Sequence, residues 1–196
     1  MVTKQKLKVY LFRHGQTFYN KNGWFTGWRE SSLTPKGKKH AETIARKLKN
    51  KKFQVAIQTR LSRSKDTLKP VLKYHPECKK VIIDNRMIER SYGIYSGYSH
   101  DSVIKKYGQE VYDKIHRGWD SHIPKGENFK QVEARVKPFI KWLKAYMKRN
   151  KVSVAISAHG NSIRLFRKIV EGASINNTVK WFIPYDKVFE YDINEL

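Results

Sequence analysis

What most constrains this chain is a recurrence: a short apolar, β-branched run, then a polar motif, then a helical pattern. The runs at 9–12, 53–58, 81–83 and 152–157 read as buried strands. Between them, Ala41, Ile44, Ala45 and Leu48 recur on one helical face, after Thr34 as N-cap and Pro35 as first helical residue. Val132, Val136, Phe139, Ile140, Leu143 and Met147 mark a second helix, with a kink expected at Pro138. Ile163, Phe166, Ile169 and Val170 mark a last one that Gly172 should end. Such alternation predicts an α/β fold of three αβα layers, a mostly parallel sheet with helices on both faces. In sheets of that kind the ligand site lies outside the carboxyl ends of the strands. Residues 188–193 alternate late in the sequence and predict an antiparallel edge strand.

With 196 residues and 39% hydrophobic content the chain can bury one sizeable core, and one domain spanning 1–196 is expected. A single cysteine, Cys78, excludes an internal disulfide and a thiolate zinc site, which fits a reducing cytoplasm. The apolar run after the basic start is too short for a signal-peptide core or a membrane span. The 41 Lys and Arg against 17 Asp and Glu give a formal charge of +24, which raises polyanions as partners. These cations are spread over nearly every segment and build no nucleic-acid module, so most are expected on solvated helix faces and nucleic acid is not the expected partner. A homo-oligomer remains compatible with the sequence.

The polar motifs carry the chemistry. Arg13-His14-Gly15 follows the first run and His159-Gly160-Asn161-Ser162 the fourth, so two histidines converge on one edge of the sheet. Arg60 and Arg63 follow the second run, and Glu89-Arg90 lies beyond the third. A phosphoryl group in flight carries its charge on equatorial oxygens, which guanidinium forks suit, and a neutral imidazole can accept it as a nucleophile. A nearby carboxylic acid could protonate the departing oxygen, although Glu89, flanked by Arg86 and Arg90, could equally be a surface ion pair. Glycine after each histidine would let the backbone approach phosphate, and the N–H groups of Asn161 and Ser162 would face it from a helix start. No metal is required by this chemistry.

At these residues the sequence resembles the histidine phosphatase superfamily, in its cofactor-dependent phosphoglycerate mutase branch. The resemblance covers Leu11-Phe12-Arg13-His14-Gly15-Gln16-Thr17 with Asn20, then Phe25-Thr26-Gly27-Trp28-Arg29-Glu30. It continues through Leu61-Ser62-Arg63-Ser64, Glu89-Arg90-Ser91-Tyr92-Gly93 and Ala158-His159-Gly160-Asn161-Ser162-Ile163-Arg164. It implies that His14 is phosphorylated, that Arg13, Arg63 and His159 hold the phosphoryl group, and that Glu89 donates and accepts the proton. It further implies that Asn20, Thr26, Gly27, Arg90, Tyr92, Arg117, Gly160 and Asn161 line the substrate pocket. The substrates would be small phosphorylated metabolites: 3-phosphoglycerate and 2-phosphoglycerate, interconverted after priming by 2,3-bisphosphoglycerate.

The sequence departs from that pattern at His100, where lysine is usual, and at His116 beside Arg117, where two arginines are usual. Imidazoles at these substrate-binding positions would make affinity pH-sensitive near pH 6.5. The segment between Trp119 and Glu127 is short where larger mutases insert a lid, and the chain stops soon after Ile193. The short segment and His100 favour an alternative, a phosphatase in which water takes the phosphoryl group from His14. A basic binding protein on the same fold is the reading from another class.

Overall fold

The computed structural model describes residues 6–196. Its strands are β1 (Lys8–Arg13), β2 (Val55–Gln58), β3 (Lys80–Ile83), β4 (Val154–Ala158) and β5 (Val188–Asp192). Its helices are α1 (Phe18–Lys21), α2 (Pro35–Leu48), α3 (Ser62–Leu72), α4 (His100–Tyr107), α5 (Gln109–Arg117), α6 (Phe129–Asn150), α7 (Gly160–Glu171) and α8 (Ile175–Lys180). The sheet order is β3-β2-β4-β1-β5, parallel except for β5, which runs antiparallel to β1.

Side-chain alternation divides the core into two layers. Val9, Leu11, Val55, Ile57, Val154 and Ile156 face α6 and α7, whereas Tyr10, Phe12, Ala56 and Ala155 face α2 and α3. The central strand β4 is buried along its whole length. The run at 81–83 departs from the expectation of a buried strand: β3 is an edge strand, with Val81 43% and Ile83 55% exposed. Among the described residues nothing pairs with its outer side, and an apolar run has the same composition at an edge as at the centre.

The helix starts follow local chemistry. The Thr34 hydroxyl caps α2 by accepting from the Gly37 N–H at 2.9 Å, with Pro35 in the first turn. Asn128 and Gln131 form a capping box at the start of α6. No break divides α6 at Pro138, whose exposed position puts the missing N–H on the solvent side of one continuous helix. Gly172, left-handed at φ 65°, ends α7 as expected, but α8 follows it. Among the described residues no helix is long and apolar enough to cross a membrane.

Candidate active site

In the β1–β4 ladder Arg13 pairs with Ala158, so the next residue of each strand emerges side by side, and the His14 and His159 rings stand 5.0 Å apart. Nδ1 of His14 lies 2.8 Å from the Gly15 carbonyl oxygen, which can only accept. Nδ1 therefore carries the proton, and Nε2 keeps its lone pair. Nε2 of His159 meets the Thr59 hydroxyl, just past β2, at 2.8 Å, while its Nδ1 is buried without a protein partner among the described residues. Burial, and then the positive charge of Arg63, hold both imidazoles well below the usual histidine range, so both are neutral at neutral pH.

Arg63 is 1% exposed, which removes the alternative of a solvated helix-start cation. Its guanidinium donates to the carbonyls of Arg29 at 2.9 Å and Gly27 at 2.7 Å, and its Nε is buried with no protein partner among the described residues. Burial lowers its pKa to about 10, leaving it charged at neutral pH. Arg60, grouped with it on sequence position, instead stays exposed over the Trp28 ring.

Glu89 is 8% exposed and among the described residues makes no surface ion pair; Arg86 pairs with Asp84 instead. Its Oε1 accepts from the backbone N–H of Arg90 at 2.8 Å and of Asn161 at 3.1 Å. The first turn of α7 thus spends the Asn161 N–H on the carboxylate rather than presenting it to phosphate, a correction to the sequence expectation. The Glu89 carbonyl is fixed by Trp28 Nε1 at 2.7 Å and Arg135 at 3.1 Å. Donor atoms of His14, Glu89 and His159 all lie within 4.8 Å of one another, a spacing a metal cation could accept. Arg63 and Arg13 both bear on the two imidazoles, and that field favours an anion over a dication.

Above these groups opens a pocket of about 270 Å³. Of the residues expected there, Asn20, Thr26, Gly27, Tyr92, His100, His116, Arg117, Gly160 and Asn161 line it, with Arg13 and Glu89. His14, Arg63 and His159 are not among its lining residues and are buried. Arg90 is not part of the wall either. It is held by the carbonyls of Ile115 and His116 and packed between the Tyr92 and Phe129 rings, where its length is filled by aromatic contact. Gly15 also has another reason to be glycine: a Cβ there would collide with the Gly37 carbonyl oxygen in α2.

His100 and His116 share the Tyr112 hydroxyl, at 3.4 and 2.8 Å. Burial, then the Arg117 charge, lowers His116 to about 3, and burial lowers His100 as well. The charge change expected near pH 6.5 is therefore moved toward acid. Sequence reading had not singled out Trp24, Phe25, Phe182, Ile183 and Tyr185 as pocket residues, nor Arg164, whose guanidinium donates to Asn161 Oδ1 at 2.7 Å. Arg164 stood three residues past Asn161, one helical turn on, a spacing that could have found it. Residues 182–185 follow no parallel strand and carried no such signal.

The sequence model of the histidine phosphatase superfamily (branch 1) matches residues 9–195. A Mesorhizobium japonicum protein named 2,3-bisphosphoglycerate-dependent phosphoglycerate mutase is 36% identical over 174 residues, 87% of this chain and 84% of that protein. A relative of the same name from a Chelativorans strain is 34% identical over 188 residues, 94% of this chain and 91% of that protein. Among solved structures, a putative α-ribazole-5′-phosphate phosphatase from Escherichia coli superposes with a TM-score of 0.82 at 21% identity, covering 95% of this chain and 90% of that one. A phosphoglycerate mutase from Bacillus anthracis does so with a TM-score of 0.79 at 22% identity, covering 97% and 91%. A mixed five-stranded sheet flanked by helices, with two neutral histidines and a carboxylate meeting at its parallel strand ends, agrees with that match, and the chain belongs to the histidine phosphatase superfamily.

Proposed function

We propose that the protein is a phosphoglycerate mutase working through a phosphohistidine at His14. The observation that carries this reading is the Nδ1 hydrogen bond of His14 to Gly15, which leaves the Nε2 lone pair free in a ring that clusters with Glu89 and His159 and supports Nε2 as the nucleophile. Primed at His14, the enzyme passes the phosphoryl group to the free hydroxyl of 3-phosphoglycerate: the P–N bond breaks as the P–O bond forms and the Glu89 carboxylate takes the hydroxyl proton, giving bound 2,3-bisphosphoglycerate. Nε2 then attacks the other phosphorus, Glu89 returns the proton to the departing oxygen, and 2-phosphoglycerate leaves with His14 phosphorylated again. Arg13 and Arg63 stabilise the equatorial oxygens. If the Thr59 hydroxyl donates to Nε2 of His159, the buried Nδ1–H of His159 is left to donate to the same oxygens.

The relatives' names carry dependence on 2,3-bisphosphoglycerate. Buried donors without protein partners at Arg13 Nε, Arg63 Nε and Thr26 Oγ1 fit a phosphoryl group beside His14. Held by Arg13, Arg63 and His159, with Arg117 and Asn161 toward its far end, the compound would supply the phosphoryl group that primes His14.

Hydrolysis is the second reading, and one observation favours it. His116 and His100 are neutral where the mutase pattern has fixed cations, which weakens the grip on a glycerate carboxylate. The test is to follow 3-phosphoglycerate with and without 2,3-bisphosphoglycerate while measuring both 2-phosphoglycerate and inorganic phosphate. A mutase gives bisphosphoglycerate-dependent isomerisation with little phosphate released. Phosphate released in step with substrate consumed would establish the phosphatase instead, and His14→Ala should abolish either activity.

A further inference from the structure

The segment from the end of α8 to β5 turns its backbone toward the pocket. The Val179 carbonyl accepts from Arg117 Nη1, the Trp181 carbonyl from Arg164 Nε at 2.7 Å, and the Ile183 carbonyl from Arg13 Nη1 at 2.9 Å. Three guanidinium groups thus hang on three carbonyls spaced two residues apart. Val179 lies in the last turn of α8, where carbonyls lack an intrahelical partner. Trp181 is extended at φ −59°, ψ 138°, and Pro184 biases Ile183 toward the same region, so their carbonyls can face one side.

The segment is anchored beyond these bonds. The Tyr185 ring lies 4.1 Å from the Arg13 guanidinium carbon and stacks parallel on His40 at 5.2 Å. Lys47 Nζ donates to the Asp186 carbonyl at 2.6 Å. Among the described residues none of Arg13, Arg117 and Arg164 forms a salt bridge with a carboxylate. A carboxylate in that role would cancel the charge an incoming anion must meet. A carbonyl orients the guanidinium and leaves its unit charge standing.

We propose that residues 179–185 form a positioning strap that sets the three pocket arginines as a unit, with Tyr185 the positioning residue for Arg13. This rests on the reading of the site as one that binds phosphate. Arg63 supplies the internal control, because it hangs on the carbonyls of Gly27 and Arg29 and not on the strap.

The experiment is calorimetric titration of the full-length protein with inorganic phosphate, in a double-mutant cycle. Tyr185→Leu should weaken binding about tenfold, the scale of a partly desolvated cation–π contact, and Tyr185→Phe should stay within about twofold of wild type. In an Arg13→Lys background Tyr185→Leu should cost less than about twofold, and in an Arg63→Lys background about tenfold again, since only the first pair shares a contact. Pro184→Gly loosens the strap while keeping the Tyr185 ring and should cost less in the Arg13→Lys background than in the Arg63→Lys background, so the comparison survives if Tyr185→Leu does not fold. Equal losses in both arginine backgrounds would overturn the strap while leaving the phosphate site intact. Wild-type protein that binds no phosphate would overturn the reading of the site, and the strap with it.

Discussion

Folding this site around two neutral imidazoles should make the protein acid-labile in a defined window. His14 is 1% and His159 0% exposed, and both are held well below the ordinary histidine pKa, by burial first and by Arg63 next. In the unfolded chain each titrates near 6.5, so as pH falls the unfolded state binds protons that the native state refuses. Stability contributed by a lowered histidine pKa is full well above pH 6.5 and is lost as pH falls below it. Between pH 6.5 and 5.5 each histidine should remove about 1 kcal/mol, so the pair removes about 2 kcal/mol. The carboxylates with lowered pKa values, Glu77, Glu110, Glu171 and Glu190, start from 4.5, so their losses fall below this window. Urea unfolding at half-unit pH steps would measure the loss in wild type and in a His14→Gln, His159→Gln variant. Repulsion within the +24 chain is common to both proteins and cancels in the difference. The variant should lose about 2 kcal/mol less than wild type over this interval. Identical pH slopes would refute the reasoning, because the two rings would then be charged in the native state.

Glu89→Gln preserves shape but cannot transfer a proton, so single-turnover phosphorylation of His14 by phosphoglycerate should slow by roughly a hundredfold, with p-nitrophenyl phosphate affected much less. Equal losses for both donors would reduce Glu89 to a pocket-shaping residue. With His116 lowered to about 3 and His100 also lowered, KM for phosphoglycerate should stay flat from pH 6 to 8 once substrate ionisation is removed. The gain from charging these rings belongs at lower pH, and a KM that climbs between pH 6 and 8 would show that they titrate there after all.

What was legible in the sequence follows from where the apolar periodicity is strong. β1 and β4 are buried, and their ends carry Arg13-His14 and His159, so the convergence of the two histidines could be read before the ladder was known. The helices at α2, α6 and α7 each bury a regular apolar stripe and were equally readable. In contrast α4 and α5 bury only Val103 and Ile115, leaving too few apolar positions to define a period. Their roles as pocket walls came from the resemblance through His116 and Arg117, not from periodicity.

The residues that sequence reading missed have a common physical cause. Strand ends announce side chains, because a polar residue after an apolar run is visible in one dimension, whereas Val179, Trp181 and Ile183 act through carbonyls that every residue possesses. Arg63 depends in the same way on the carbonyls of Gly27 and Arg29, and Arg90 on those of Ile115 and His116. Five arginines are thus held by main-chain oxygens, and the pocket-lining carboxylate, Glu89, is itself occupied by two backbone N–H groups. Backbone dipoles therefore orient both the cations and the acid without neutralising either. The site keeps its positive charge for an anion and leaves Oε2 of Glu89 open toward a proton, and that division of labour is what the proposed phosphoryl transfer requires.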